Sequence, residues 1–276
     1  MFLFVVLLGA TYQGVATALE RRQYPHPGRL IDVGGHQLHL RCEGRGTPTV
    51  VLEAPATAMS SAWAWVQTDV AKITRVCSYD RAGLGWSEAG DAPFTPQAVP
   101  TELNSLLRFA DENSSPQVMV GAELGAAYAS IYAAKYPDDI AALVLVNPPG
   151  PFSGNPRSTA AARFLTVSPW LARTGVLRAT RTLSKSAAGL PQPAAGTLAS
   201  FLNRPDHLTR AASELSRWDE TVEMANAAAL RPTLTVTRVE LEGQNLVAAL
   251  ADRRNAQDVA NAVSLSVAAW RARQPH

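Results

Sequence analysis

Val118–Asn147 reads VMVGAELGAAYASIYAAKYPDDIAALVLVN. Gln117 to Val120 is a short apolar run that ends on Gly121. Ala126 to Tyr136 is a helix of small residues, and Ala142 to Val146 (ALVLV) is a second run of strand length. Strand, glycine-framed turn, helix and strand in this order make a parallel crossover, whose strands are buried on both faces and so read as continuous apolar runs.

The same alternation extends towards the N-terminus. Arg29 to Val33 and Gln37 to Cys42 flank Gly34-Gly35, a hairpin signal. Thr49 to Ala54 (TVVLEA) and Arg75 to Asp80 (RVCSYD) are further strand candidates, with helical spacing over Ser61 to Ile73 between them. Gln97 to Asp111 places Leu103, Leu106, Leu107 and Phe109 at helical intervals. The fold class expected is α/β, a mostly parallel sheet with helices on both faces. From Pro148 to about Ala229 the pattern changes to Ala- and Arg-rich helical stretches broken at Pro151, Pro169 and Pro191-Gln192-Pro193, a helical cap inserted between strands. Thr233 to Val239 returns to strand, and Asn255 to Arg271 closes as a helix carrying Val259, Val263, Val267 and Trp270.

A hydrophobic fraction of 47% with 17% charged residues excludes general disorder and is enough for a sizeable core. The net charge is +2 without a long basic run, which argues against nucleic acid as a partner. The two cysteines, Cys42 and Cys77, make neither a zinc pattern nor a CxxC motif, so no metal and no cofactor is expected.

Met1 to Leu19 (MFLFVVLLGATYQGVATAL) has no charged side chain and ends on Glu20, Arg21 and Arg22. A spanning helix needs about 20 apolar residues. Three interpretations compete: a retained transmembrane anchor, a cleaved signal peptide and a buried soluble helix. The start lacks the basic residues of a signal peptide, which favours the anchor. The Pro-punctuated linker YPHPG (Tyr24 to Gly28) then ends the helix. The resulting division is 1–22 anchor, 23–147 first part of the core, 148–229 cap, and 230–276 last strands and C-terminal helix.

TVVLEA, YDRAGLGWS and the Gly-x-x-x-Gly turn between strand and helix together resemble the α/β-hydrolase fold family, and more narrowly its bacterial membrane-anchored esterase-like members. The likeness runs from about Gly28 to Pro148; the cap and C-terminal third match only loosely. It implies a nucleophile elbow, G-x-S-x-G, whose strained turn lifts a serine above the sheet. Here the elbow reads Gly121-Ala122-Glu123-Leu124-Gly125, with glutamate at the nucleophile position. Glu123 is either an unusual carboxylate nucleophile, which would still need a base to release its ester, or a buried or rim carboxylate held by a cation or polar neighbour.

The resemblance places the base just before the last helix, in Glu242 to Arg254, where the histidine position falls on Leu246 or Val247. The five histidines lie elsewhere: His26, His36 and His39 in the linker and early hairpin, His276 at the terminus, and His207 after Pro205-Asp206 at the start of a cap helix. A capping or surface role is expected for His207. The oxyanion loop after the third strand reads Ala54-Pro55-Ala56-Thr57-Ala58; it lacks glycines, and Pro55 has no N–H. Glu240 or Glu242 is the candidate acid, with no histidine to orient.

Four altered parts imply a pseudoenzyme. In this family the second strand lies antiparallel beside the fourth, which would bring Cys42 and Cys77 face to face, either bridged or as two buried thiols. A bridge would imply an oxidising compartment, and an extracytoplasmic domain is favoured, although Arg21 and Arg22 directly after the anchor argue for the opposite side. The function expected is a structural or accessory subunit of a larger membrane complex, with the lipid bilayer and other membrane subunits as partners. The alternatives are a membrane-anchored ester hydrolase and a small-ligand-binding protein that keeps the old pocket. The cap stretch Ala162 to Leu183 interleaves Arg163, Arg173, Arg178 and Arg181 with Phe164, Leu165, Trp170, Leu171, Val176 and Leu177. It could lie on a membrane or a partner, or be an ordinary amphipathic lid.

Overall fold

The computed structural model describes residues 2–150, 160–243 and 245–274. Pro151, Gln244 and His276, and the side chains of Arg163 and Leu165, lie outside the described residues. In chain order the elements are α1 (Phe2–Gln23), β1 (Arg29–Asp32), β2 (Gln37–Glu43), β3 (Thr49–Glu53), α2 (Ala64–Val70), β4 (Val76–Tyr79), α3 (Ala98–Phe109), β5 (Gln117–Ala122), α4 (Leu124–Lys135) and β6 (Ile140–Val146). There follow α5 (Ala160–Arg173), α6 (Val176–Thr180), α7 (Ala194–Phe201), α8 (Pro205–Ser216), α9 (Trp218–Asn226), β7 (Val236–Val239), α10 (Leu246–Ala251) and α11 (Arg253–Arg271).

The seven strands form one sheet in the order β1-β2-β4-β3-β5-β6-β7. β1 and β2 pair antiparallel, as do β2 and β4, and every other pair is parallel. Successive side chains of a strand point to opposite faces. Val50, Leu52, Val118, Val120 and Val144 therefore join one core with α2 and α11, where Val66, Val259 and Val263 are buried beside Trp63 of the 3₁₀ turn before α2. Val51, Met119, Leu143 and Leu145 enter a second core with Leu103, Leu106, Ala126 and Ala129 of α3 and α4. Burying each such aliphatic side chain contributes roughly 1.5–3 kcal/mol, so both apolar faces demand a helical layer.

Local signals set the ends of these elements. Asp252 caps α11 by accepting the N–H groups of Arg254 (2.8 Å) and Asn255 (3.1 Å), an arrangement worth about 1 kcal/mol. Pro137 follows α4 and begins a short 3₁₀ turn into β6.

The N-terminal expectation is corrected. The helix exists, but among the described residues no helix is long and apolar enough to cross a membrane. Polar residues of α1 fall on one face. Gln13, Thr17 and Glu20 share one side of the helix, and protein groups satisfy them. Gln13 donates to Asn203 O at 2.7 Å, Arg178 Nε donates to Gln13 Oε1 at 2.9 Å, and Glu20 takes Ser200 Oγ at 2.7 Å and pairs with Arg178. Gly9 sits where a Cβ would come 2.2 Å from Thr174 O, which lets α1 press against the turn between α5 and α6.

Candidate active site

The elbow is built as its glycine frame requires. Glu123 stands between β5 and α4 with φ 52° and ψ −119°, a left-handed conformation that costs a residue with a Cβ about 1–3 kcal/mol. The turn closes because Gly121 and Gly125 lack side chains. A Cβ on Gly121 would lie 2.3 Å from Gly125 O, and one on Gly125 would lie 2.4 Å from Ala54 O. The sheet thus presents residue 123 at the strand end in the strained geometry that normally serves a nucleophile.

The Glu123 side chain turns back into the turn. Its Oε2 accepts the N–H of Ala56 at 3.1 Å, and the N–H of Leu124 stabilises the same carboxylate. Ala56 belongs to the loop after β3 and Leu124 follows the nucleophile position. These are the two backbone donors that would face a developing oxyanion. Pro55 has no N–H to offer in this loop, but the N–H of Ala56 beside it is present and is taken by Glu123. Burial pushes the Glu123 carboxyl up to about 7, although the Ala56 N–H, the Arg81 charge and the Leu124 N–H all pull it down.

Arg81, buried in the YDRAG stretch, fixes the loop that carries Ala56. All five of its N–H groups are used. It grips Glu214 through Nε (2.9 Å) and Nη2 (2.8 Å), Glu53 Oε1 through Nη1 (2.6 Å), and the carbonyls of Ala54 (2.7 Å) and Pro55 (3.2 Å). Tyr79 donates its hydroxyl to Glu53. Burial raises the Glu53 carboxyl above its usual range, since Arg81 and Tyr79 only partly offset it. Burial also opposes the charge on Glu214, but Arg81 and Arg210 outweigh it and hold that carboxyl low. Sequence reasoning missed this network. Its signal was the placement of charged residues in apolar runs: Glu53 closes TVVLE, and Arg81 follows a buried strand.

Among the described residues no histidine is hydrogen-bonded or ion-paired to Glu123. Val247, one of the two positions aligned with the base, is buried and shares with Thr57, Phe164, Leu183 and Leu202 the wall of a cavity of about 490 Å³. Leu246 opens α10. His207 is corrected from a surface or capping role: it is buried, its Nδ1 accepts Gly85 N–H (3.1 Å), and its Nε2 lies 2.9 Å from Thr57 O. Both nitrogens thus serve backbone groups, and burial lowers its pKa. His39 lies in β2, its Nδ1 3.1 Å from Asp80 Oδ2 and its ring 4.7 Å from Trp86. Asp80 also accepts the N–H groups of Ser60 and Trp86, so this pair knots β2 to the loop after β4. His36 approaches Glu102 at 3.7 Å, and His26 bonds Gly28 O at 2.8 Å.

Glu240 and Glu242 are exposed. Between them, Leu241 is tied to Asn147 at the end of β6: Asn147 Nδ2 donates to Leu241 O (2.9 Å) and Leu241 N–H to Asn147 Oδ1 (2.8 Å). The chain leaves β7 along this seam, and both candidate acids flank it as solvent-exposed side chains.

Cys42 and Cys77 are directly opposite in the β2–β4 ladder and joined by a disulfide, with Cα atoms 4.0 Å apart. Glu112 lies close to both sulfurs, but a disulfide offers no thiolate to a metal.

Comparison with known proteins agrees with this architecture. An uncharacterized protein of Bacillus subtilis (strain 168), YqjL, is 33% identical over 113 residues, covering 41% of this chain and 44% of that protein. The chain spans less than half the length of the curated relatives it matches. Among solved structures, Cfl2 from Burkholderia cenocepacia superposes with a TM-score of 0.66 at 19% identity, covering 87% of this chain and 95% of that one. The enol-lactonase from Burkholderia xenovorans LB400 gives 0.60 at 16% identity, covering 87% of this chain and all (100%) of that one. At such identities the likeness is one of fold. The sequence model of the alpha/beta hydrolase fold matches residues 48–274, most of the chain, and with the elbow and sheet order this places the protein in the α/β-hydrolase fold family.

Proposed function

We propose that this is a catalytically silent α/β-hydrolase-fold protein, its acyl-transfer centre blocked by Glu123, acting as a structural or accessory subunit of a larger membrane assembly. The observation that carries the silent centre is the Glu123 carboxylate, whose Oε2 accepts the Ala56 N–H at 3.1 Å with the stabilising Leu124 N–H beside it. Those donors accelerate acyl transfer only when free to meet negative charge that develops in the transition state. A resident carboxylate takes their hydrogen bonds in the ground state and repels an incoming oxyanion. Glu123 is also a poor nucleophile there, because hydrogen bonding spreads its charge, and among the described residues no imidazole is bonded to it to activate water against an ester intermediate. A fold relieved of chemistry can keep its surface for binding. The cavity of about 490 Å³ beside Thr57 and Val247 supports one secondary role, retention of a small apolar ligand without turnover.

Turnover of short acyl esters tests the catalytic half. The wild-type protein and Glu123→Ser are expected to show no rate above background. A wild-type rate abolished by Glu123→Gln would establish a glutamate-dependent hydrolase instead. The subunit half is tested by native mass after extraction from the source membranes in mild detergent: migration with a larger complex at fixed stoichiometry supports it, and migration alone overturns it.

A further inference from the structure

The polarity of α1 is inverted. Its inward face carries Gln13, only 4% exposed, together with Thr17 and Glu20, while its outward face carries Leu8, Tyr12, Val15 and Leu19, each at least half exposed. A surface helix in water does the opposite. Beside it stand Trp170, 71% exposed, and Val176, from the helices against which Gly9 packs. Among the described residues, eight of the eleven exposed large apolar side chains lie on α1, α5 and α6. A clustering of this kind marks a surface that meets something apolar.

Charge selects the occupant. Between Asp139 and Asp206 the sequence has no acidic residue but contains Arg157, Arg163, Arg173, Arg178, Arg181, Lys185 and Arg204. Arg178 is spent on Glu20 and Gln13. Arg173, Arg181 and Lys185 are exposed beside the apolar face, with Arg173 stacked over the Trp170 ring at 5.1 Å, and Arg21 and Arg22 are exposed at the end of α1. The outward side of α1 supplies no charge from Phe2 to Leu19. Aliphatic residues, an exposed tryptophan and tyrosine, and a basic border form the chemistry of a helix lying in the headgroup plane of an anionic bilayer.

We infer that α1, α5 and α6 together form a docking face for an anionic lipid surface, with α1 lying in the plane of the interface. This rests on the membrane-assembly reading above, and replaces a spanning anchor with a docked one. Co-sedimentation of the full chain with vesicles tests it, comparing phosphatidylcholine alone with phosphatidylcholine containing phosphatidylglycerol. Partitioning is expected to rise about tenfold or more with the anionic lipid, since each exposed basic residue near such a surface contributes about a factor of five. Leu8→Ser/Leu19→Ser is expected to abolish binding, and Arg173→Gln/Arg181→Gln, which leaves the α1 contacts intact, to remove most of the preference for phosphatidylglycerol. Brominated acyl chains are expected to quench a tryptophan component that Trp170→Phe eliminates. Absence of vesicle binding by the monodisperse wild-type chain overturns the inference. So does a lipid-independent dimer that Leu8→Ser/Leu19→Ser dissolves, because the face would then be a protein interface. The subunit proposal stands or falls separately on native mass.

Discussion

Ala56 N and Glu123 Oε2, 3.1 Å apart, tie the loop after β3 to the turn after β5. The bond seats a carboxylate whose pKa is raised from 4.5 to about 7, chiefly by burial. The folded protein therefore binds more protons than the unfolded chain between those values. Stability is highest at the acid end of the window and falls as pH rises through about 7, by on the order of 3 kcal/mol if Glu123 alone is counted. Glu123→Gln, which cannot ionise, should lose this slope and exceed the wild type in Tm at pH 8, with the two converging towards pH 5. Parallel pH profiles for both proteins would disprove the assignment.

The backbone at residue 123 can be separated from its charge. Glu123→Ala and Glu123→Gly both delete the carboxylate, but only glycine adopts φ 52° freely. Urea denaturation should find the glycine variant more stable than the alanine variant by about 1–3 kcal/mol. Equal stabilities would mean that the turn relaxes once the side chain is gone.

Arg81→Met would strand the carboxylates of Glu53 and Glu214 in the core. Removal of one partner from a buried ionic network typically costs about 3–5 kcal/mol. The same variant releases the carbonyls of Ala54 and Pro55, so hydrogen exchange at Ala56 should accelerate more than the global loss of stability explains. A change below about 1 kcal/mol would show that the network is not energetically coupled to the fold.

The Cys42–Cys77 bridge closes a loop of sequence separation 35. In the chain-entropy description a loop of that size stabilises the fold by roughly 3–4 kcal/mol. Denaturation with and without reductant should show that loss in the wild type and none in Cys42→Ala/Cys77→Ala. A wild type indifferent to reductant would contradict the prediction.

Much of this was legible in the residues. TVVLEA, RVCSYD and ALVLV gave strands because their apolar runs have strand length, and the glycines at 121 and 125 announced a tight turn. That β2 runs beside β4 followed from the family resemblance rather than from the residues themselves. The glycine frame did not disclose where the Glu123 carboxylate points, so its bond to the Ala56 N–H, in a loop without glycines, was not legible. Arg81 and Glu214 lie far apart in sequence, and no periodicity links such residues. His207 was misjudged because a residue near a helix start resembles a cap until the loop packed over it is known. For α1, average apolarity suggested a membrane span. The informative quantity was angular: Gln13, Thr17 and Glu20 recur at helical intervals on one side.

The bonds from α1 into the cap have a mechanical consequence. Gln13 holds Asn203, Glu20 holds Ser200 and Arg178, and Gly9 lies against Thr174, so four points of the helical segment between β6 and β7 are fastened to one rod. Leu202, adjacent to Asn203, walls the cavity beside Thr57. A force that tilted the rod would reach that wall through Asn203, so the cavity's wall and the N-terminal helix would move together rather than as independent hinges.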